Sequence, residues 1–387
     1  MTISYRDDVI TSNKIGFGFL KLLFRLKGSI YRLLVFDLIV FIILYTLISI
    51  IHRVALYDEY LIAFENWILY FRTFTDKLPL GFVLGFYCSI VYGRWWAQYQ
   101  SIPWPDTLCM NVSINLKGQD DDARMMRRNI VRYANLAINI AFTGMARHVK
   151  DRFKTLDKFV DEGFLTPNEK ILLENFAEET KNTKSTNHKD GGPLPNFWIP
   201  LLWASSIVTK ARAEGKISTD LGCKAILGDL TSLRSTCGGM LSFAWINVPL
   251  VYTQVVTIAV YSFFLTTLIG SQYSQLGGFD FYVPLLTLLQ FIFYMGWLKT
   301  AETLLNPFGD DEDDFEIDYL IDRNHEMGYV IVDKLHSGHP ELCQDIHWAS
   351  ILPSNNEATI MEIEDVPKQK TDEYMQLQEP ANDDGGV

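Results

Sequence analysis

A run of carboxylates near the C-terminal quarter of the chain is its strongest chemical signal. Six of the seven residues at positions 310–316 are acidic: Asp310, Asp311, Glu312, Asp313, Asp314 and Glu316. Like charges at this density repel one another unless a cation lies among them, and hard oxygen ligands suit Ca²⁺. The run lacks the alternation of ligands and spacers, and the glycine at the sixth position, of an EF-hand loop. Two interpretations follow: a solvated acidic linker or a calcium site of another kind.

The residues before the run favour the calcium site. The segment 306–309 reads Asn-Pro-Phe-Gly, and a turn formed by proline and glycine can direct carbonyls and carboxylates at one point. The run also begins about ten residues after the last strongly hydrophobic segment ends. A calcium site beside a membrane indicates a calcium-gated membrane protein.

A second pattern lies in the hydrophobic sequence around residue 80. Leu78, Phe82 and Phe86 are spaced by four, which places them on one face of a helix. Gly81 and Gly85 follow the same spacing on an adjacent face, where a neighbouring backbone could approach. The pattern is typical of ordinary bundle packing. Its functional alternative is a hydrophobic constriction, which gates ions by dewetting when several subunits each contribute a ring.

Long uncharged segments predict about four membrane spans. Residues 238–279 contain no Asp, Glu, Lys, Arg or His, and the chain is again uncharged from 281 to 298. A third run covers 33–51, interrupted only by Asp37, and a fourth, amphipathic one covers about 60–92. Each approaches or exceeds the roughly 20 residues needed to cross a bilayer. Asp37 inside a span indicates either a functional residue or one with a polar partner in the bundle.

Charge predicts the orientation of these spans. Residues 310–387 hold 21 acids and four bases, so residues 1–309 carry about +5 of the total charge of −12. Between Val9 and Phe36, up to the first span, the chain has five bases and no acid; no Lys or Arg occurs in 270–280, and many bases lie in 94–234. By the positive-inside rule we expect a multi-pass protein of the cell membrane with both termini in the cytosol. The acidic pI reflects the tail, so it says nothing about the pore or about a nucleic-acid partner, and no nucleic-acid partner is expected.

The remaining sequence predicts a helical cytosolic part and no catalytic site. Helical patterns cover about 120–176 and 198–233, and the second pattern runs into the third span. An odd count of five cysteines without paired spacing argues against a disulfide scaffold. Residues 350–387 are rich in polar and acidic residues and are expected to be mostly disordered. No Ser/His/Asp set, P-loop or carboxylate pair suggests an enzyme.

A series of short segments resembles the bestrophin family, in order, over about residues 1–350. They are MTISY at 1–5, GSIY at 28–31, FVLGFY at 82–87, RWW at 94–96, IPWPD at 102–106, RYAN at 132–135, PLVYTQVV at 249–256, GWLK at 296–299 and NPFG at 306–309. The resemblance implies a calcium-activated chloride channel built as a homopentamer with one central pore. The loop at 178–192 is longer than in vertebrate members, and the tail beyond Trp348 matches poorly.

The resemblance also implies roles for particular residues. The neck of the pore falls on Leu78, Phe82 and Phe86, with Leu78 where vertebrate members usually have isoleucine. The cytosolic aperture, usually valine or isoleucine, aligns with Leu221.

A calcium clasp is implied by the same resemblance. It uses the side chains of Asp311 and Asp314 and the backbone carbonyls of Thr303 and Asn306. The carbonyl of Ile10 from an adjacent subunit completes it.

The sequence therefore predicts an all-α membrane protein with four transmembrane helices per subunit and a helical cytosolic domain, assembled as a homopentamer around one central pore. Expected partners are chloride and other small anions, identical subunits, the lipid bilayer and Ca²⁺. The alternative is a calcium-responsive membrane scaffold or channel regulator that conducts nothing itself.

Six segments are expected along the chain. They are a cytosolic N-terminal segment (1–30), two spans including the pore-lining helix (31–108), a cytosolic helical domain (109–230), two further spans (231–303), the clasp and a wrapping segment (304–349), and the acidic tail (350–387).

Overall fold

The computed structural model describes residues 5, 22–77, 79–182, 196–274 and 283–348. The chain divides into two units, Met1–Ser337 and Gly338–Val387. In the described part of the second unit, only a short turn forms, near residues 346–348. The expected disordered tail at 350–387, and Ile10 and Leu78 among the predicted site residues, lie outside the described residues.

The first unit is built from helices. They are α1 Ile30–Ile50, α2 Asp58–Lys77, α3 Leu80–Gln100, α4 Asp106–Asn115, α5 Asp121–Thr143, α6 Arg147–Arg152, α7 Leu156–Asp161, α8 Pro167–Asn182, α9 Trp198–Ala213, α10 Asp220–Trp245, α11 Leu250–Gly270, α12 Leu285–Leu304 and α13 Ile317–Tyr329. Short π-helical turns extend α1 and α13. The described residues form no strand beyond one isolated bridge between Leu116 and Ile217. The prediction of an all-helical chain is confirmed.

Two apolar cores hold these helices together. The first joins α1, α3, α11 and α12 through large side chains such as Phe41, Tyr87, Phe263 and Phe291. The second joins α4, α5, α9, α10 and α13 around residues such as Ile130. The outer sides of α1 and α11 expose further large apolar side chains, as expected for helices that face lipid.

The number of spans is not confirmed by the structure. Among the described residues, two helices are long and apolar enough to cross a membrane, Ile30–Ala55 and Leu250–Gly270. A third candidate is the pair formed by α2 and α3, which meet at 43° around Pro79. Helix α12 does not qualify, because Gln290, Lys299 and Glu302 lower its hydropathy. Four spans therefore remain a prediction.

Helix ends in the part predicted to be cytosolic differ from the sequence prediction. The helical pattern at 198–233 is two helices, α9 and α10, because Gly215 turns the chain with a φ of +76°. Helix α10 crosses the expected boundary at 230/231 and ends at Trp245. The uncharged run that begins at 238 is broken before Pro249, which starts α11.

Asp37 has a polar partner inside the bundle. Its carboxylate lies 3.7 Å from the Lys299 amine of α12, which also lies 2.9 Å from Glu302. Both side chains of the Asp37–Lys299 pair are about three-quarters buried. Of the two interpretations of Asp37, the structure favours the polar partner.

The start of helix α8 is held by a capping box, and the acid of this box also accepts hydrogen bonds from α5. Thr166 and Glu169 exchange hydrogen bonds, from the Thr166 N–H to the carboxylate (2.8 Å) and from the Glu169 N–H to the Thr166 hydroxyl (3.4 Å). The same carboxylate accepts two 2.7 Å hydrogen bonds from the Arg132 guanidinium and one from the Tyr133 hydroxyl. Burial opposes ionisation of Glu169, but these donors outweigh it and lower its pKa to about 2.

We expect Glu169→Gln to destabilise the fold at neutral pH by about 3 kcal/mol, because it leaves a buried guanidinium without its partner. The folded pKa lies below the ordinary value of 4.5, so the stabilisation is present above pH 4.5 and is lost as the pH falls toward 2. Thermal unfolding of detergent-solubilised protein, followed by tryptophan fluorescence between pH 7 and pH 3, measures this. Asp161→Asn, which removes an exposed pair with Lys158, is the control and should change little. An equal loss at every pH would contradict the prediction.

Candidate functional site

The acidic loop begins where α12 cannot continue. Helix α12 ends at Leu304, and Thr303 lies in its last turn. Pro307 has no N–H to donate to the carbonyl of Thr303, four residues earlier, so that carbonyl loses its helical partner. The loop closes by a 2.9 Å hydrogen bond from the Phe315 N–H to the Pro307 carbonyl. Residues 305–316 thus form a compact turn between α12 and α13.

Inside this turn Asp314 is buried, with only 7% of its surface exposed. One oxygen of its carboxylate accepts a 2.8 Å hydrogen bond from the Asp311 N–H. A Cβ added to Gly309 would lie 2.7 Å from that oxygen and 3.5 Å from the Asn306 carbonyl oxygen. The Asp314 carboxylate and the Asn306 carbonyl therefore face one small space, which exists because residue 309 has no side chain.

The electrostatics of this space suit a cation. The pKa of Asp314 is raised to about 6: burial is the largest cause, the hydrogen bond from the Asp311 N–H lowers the pKa, and the nearby carboxylates of Asp311, Asp310 and Asp313 raise it. A carboxyl group in such surroundings either takes up a proton or is stabilised in its ionised form by a nearby cation. Oxygen donors from both a carboxylate and a carbonyl are what Ca²⁺ prefers.

The described side chains of this one chain do not complete a metal site. Among the described residues, no group of three or more His, Cys, Asp or Glu side chains is arranged to hold a metal ion. Of the predicted ligands, the structure brings together Asn306, Asp311 and Asp314, with Thr303 less than one helical turn before Asn306. A complete site on this loop requires backbone carbonyls and a further segment as donors.

The acidic loop is anchored to α3 by aromatic contacts. Phe315 is 6% exposed, and its ring lies 5.4 Å from Phe308, 5.7 Å from Trp95 and 5.6 Å from Tyr99, centroid to centroid. Trp95 and Tyr99 belong to the last turns of α3. Because Phe315 is the neighbour of Asp314, the position of the buried carboxylate is tied to the position of α3.

The other end of α3 carries Phe82 and Phe86, two of the three predicted neck residues. Phe82 and Phe86 are exposed, at 68% and 56%, and their rings contact each other at 4.7 Å. The opposite side of the helix is buried, through Leu80, Leu84, Tyr87 and Val91. In the single chain the phenylalanine face is therefore free for a membrane, a partner subunit or a pore.

Comparison with known sequences decides the family. Residues 1–334 match the sequence model of the family described as "Bestrophin, RFP-TM, chloride channel". The chain belongs to the bestrophin family. It is similar to human Bestrophin-3 (40% identical over 354 residues, 90% of this chain and 51% of that protein) and to mouse Bestrophin-2 (41%, 90% and 66%). It is also similar to Bestrophin homolog 2 of Caenorhabditis elegans (36% over 359 residues, 92% and 82%).

This bestrophin spans about half the length of human Bestrophin-3. The family consists of channels and not of enzymes, in agreement with the prediction from sequence. Solved structures support the same fold. A mutant of a bacterial Bestrophin homolog from Klebsiella pneumoniae is 20% identical, with a TM-score of 0.54, and covers 77% of this chain and 99% of its own. A further membrane protein is 18% identical, with a TM-score of 0.56, and covers 79% and 100%.

Two contacts of the bestrophin loop were missed by sequence reasoning. His148 at the start of α6 lies 3.3 Å from Asp310 and 3.8 Å from Asp318. Arg32 at the start of α1 forms an ion pair with Glu312. No sequence signal indicated either contact, because each basic residue is separated from its partner by more than 160 residues and stands in no motif.

Leu221, the predicted aperture residue, is the second residue of α10 and is 80% exposed. The Thr219 hydroxyl caps this helix by accepting a 3.1 Å hydrogen bond from the Gly222 N–H. The tip of α10 therefore presents Leu221 from a rigid, capped end. The structure does not bring Leu221 near the acidic loop.

We expect Phe315→Ala to destabilise this bestrophin by about 3–5 kcal/mol, because it removes a buried ring from an aromatic cluster. It should also free the acidic loop, so that cleavage by a glutamate-specific protease at Glu312 or Glu316 becomes faster. Phe315→Leu should have a smaller effect. Glu326→Gln, on α13 and away from the loop, is the control for stability. Unchanged unfolding and proteolysis in Phe315→Ala would show that the aromatic anchor does not hold the loop.

Proposed function

We propose that this bestrophin is the subunit of a calcium-activated chloride channel, a homopentamer around one central pore. The observation that carries the proposal is the packing of Phe315 against Trp95 and Tyr99. It joins a loop suited to a cation with the helix that bears Phe82 and Phe86. The description of the family as chloride channels supports chloride and other small anions as the transported ions.

The calcium clasp is proposed on the acidic loop. Asp311 and Asp314 supply carboxylates, Thr303 and Asn306 supply backbone carbonyls, and Ile10 of an adjacent subunit supplies another. The fit is supported by the buried Asp314 carboxylate, the space beside Gly309 and the missing N–H of Pro307. Bound Ca²⁺ supplies the positive charge that the cluster lacks. Because donors come from two subunits, we expect calcium to stabilise one arrangement of their interface.

The gate is proposed at the neck formed by Leu78, Phe82 and Phe86. In a pentamer each residue forms a ring, and a narrow ring without polar atoms excludes water and ions. Leu221 forms a second, cytosolic aperture. No Lys or Arg lies on the face of Phe82 and Phe86, so anion preference at the neck arises from the positive edges of the phenylalanine rings and from helix N-termini.

Calcium acts on the gate through α3. The loop can favour an open state only if its contacts differ between closed and open arrangements of α3. The aromatic contacts of Phe315 at the C-terminal end of α3 are suited to this, since a helix transmits a shift along its axis. Phe86 and Phe82 lie about two and a half and three and a half turns from Trp95 on the same helix.

The placement in the membrane follows from charge and hydropathy. We propose four spans in the cell membrane, α1, the α2–α3 pair, α11 and α12, with both termini in the cytosol. The basic N-terminal segment and the absence of Lys and Arg from 270–280 support this orientation. The lipid bilayer and identical subunits are its structural partners, and no nucleic-acid partner is proposed.

The test of the function is single-channel recording of the purified chain in a planar bilayer. Chloride-selective openings that appear on addition of calcium support the proposal. Purified protein that binds calcium but conducts nothing would instead support a calcium-responsive scaffold or channel regulator. The size of the purified particle in detergent, measured by light scattering, tests the pentamer separately.

Substitution of the clasp residues tests the calcium site. We expect Asp311→Ala and Asp314→Ala each to raise the calcium concentration for half-maximal current by at least about tenfold, since each removes a charged oxygen ligand. Asp313→Ala, in the same acidic run, is the matched control and should raise this calcium concentration less. Equal calcium dependence in both ligand variants and the native chain would exclude the assignment.

Substitution of the neck residues tests the gate. Replacing Leu78, Phe82 and Phe86 together by Ala widens and wets the constriction, so we expect current to flow without calcium. Chloride-over-sodium preference should persist if part of the selectivity lies elsewhere. Leu84→Ala, on the buried face of α3, is the control for general loosening of the helix. A triple variant that is silent without calcium despite normal assembly would show that the stripe is only packing.

A further inference from the structure

Helix α10 presents a long polar stripe that begins at the proposed aperture. Counting from Leu221 at helical spacing, the same side of the helix carries six exposed residues: Leu221, Lys224, Gly228, Thr231, Ser232 and Ser235. The opposite side packs into the core through Gly222, Ile226, Leu230, Leu233 and Cys237. Because one side of α10 is buried in the core, the opposite side, which carries the stripe, faces away from the core.

Lys224 is the charged member of this stripe, and the acids of α10 are held elsewhere. Asp220 pairs with Arg212 of α9 at 2.7 Å. Asp229 accepts a 2.7 Å hydrogen bond from the Asn111 amide of α4. The stripe therefore combines one positive charge with three hydroxyl groups. Of those, the Thr231 hydroxyl donates to the Leu227 carbonyl, which leaves its oxygen lone pairs as acceptors.

The geometry points to a role for Lys224 in supplying chloride to the pore. We propose that Lys224 determines conductance: in the assembled channel its amines surround the cytosolic vestibule one helical turn beyond Leu221 and concentrate anions there. The inference rests on the proposed function, because it takes Leu221 to border the ion path. The hydroxyls of Ser232 and Ser235 are hydrogen-bond donors for a partly dehydrated anion on the way to the membrane.

Simple electrostatics explains why such a charge belongs here and not at the neck. The neck is apolar, so it can gate by dewetting but cannot raise the local concentration of chloride. Like charges around a cleft with low-dielectric walls focus the field and raise the concentration of counter-ions. The effect is screened at high salt, where the Debye length is about 3 Å at 1 M against about 10 Å at 0.1 M.

The experiment records single channels of Lys224→Gln, Lys224→Glu and Lys224→Arg at low and at high chloride. We expect the low-salt conductance of Lys224→Gln to fall about twofold and that of Lys224→Glu further, with the largest loss for chloride leaving the cytosolic side. The differences should shrink at about 1 M salt. Lys224→Arg should retain the native conductance. The calcium dependence should stay unchanged in all three, which separates an electrostatic role from a structural one.

The control is Lys210→Gln, which removes another exposed lysine, on α9, where it lies 3.7 Å from Glu214. It should leave the conductance unchanged at every salt concentration. Native-like low-salt conductance in Lys224→Glu, with normal calcium-activated openings, would overturn the inference while leaving the proposed function intact. If the native chain itself does not conduct, both the proposed function and this inference fail. A loss of conductance in Lys224→Gln that persists at 1 M salt would also overturn the inference on Lys224.

Discussion

The contact between Phe315 and the end of α3 is the constraint on which the functional part of this structure depends. A run of six acids in seven residues would, by charge alone, remain solvated and extended. Burial of the Phe315 and Phe308 rings, at 6% and 1% exposure, instead holds the run in a compact turn. Hydrophobic burial thus opposes the mutual repulsion of the carboxylates, and it fixes where those carboxylates lie relative to α3.

This compact turn has an electrostatic consequence. Asp314 lies in the interior because it is next to Phe315, whose ring is buried. Among the described residues, no positively charged side chain lies within 4.0 Å of the Asp314 carboxylate. In the described part of the chain, His148 pairs with Asp310 and Arg32 with Glu312, two acids on the outside of the loop. The inner oxygen atoms remain available for a cation, and the outer pairs connect the loop to α6 and α1.

Sequence reasoning predicted the parts of this protein that depend on local pattern. The all-helical fold follows from hydrophobic periodicity, and the turn after α12 follows from the Asn-Pro-Phe-Gly segment; the calcium chemistry of the acids in that turn stays a prediction. Sequence reasoning failed for features that depend on the tertiary structure. The aromatic anchor joins Phe315 to residues more than 200 positions earlier, and the break of the helical run near 215 depends on one glycine with a positive φ. The span count stayed undecided because α12 mixes apolar residues with Gln290, Lys299 and Glu302.

A pore whose narrowest part is apolar separates two tasks that many channels combine at one place, gating and the attraction of ions. Rings of phenylalanine can exclude water, but they offer only weak polar edges to an anion. Any strong attraction for chloride must then come from groups outside the neck, where the charges can stay hydrated and need no buried partner. Lys224 on the exposed stripe of α10 meets this requirement, whereas the buried Arg127 does not, because its guanidinium donates to the carbonyls of Val332, Leu116 and Gly118. In the proposed channel, gating by calcium and supply of anions can therefore vary independently, since the proposals assign them to separate helices, α3 and α10.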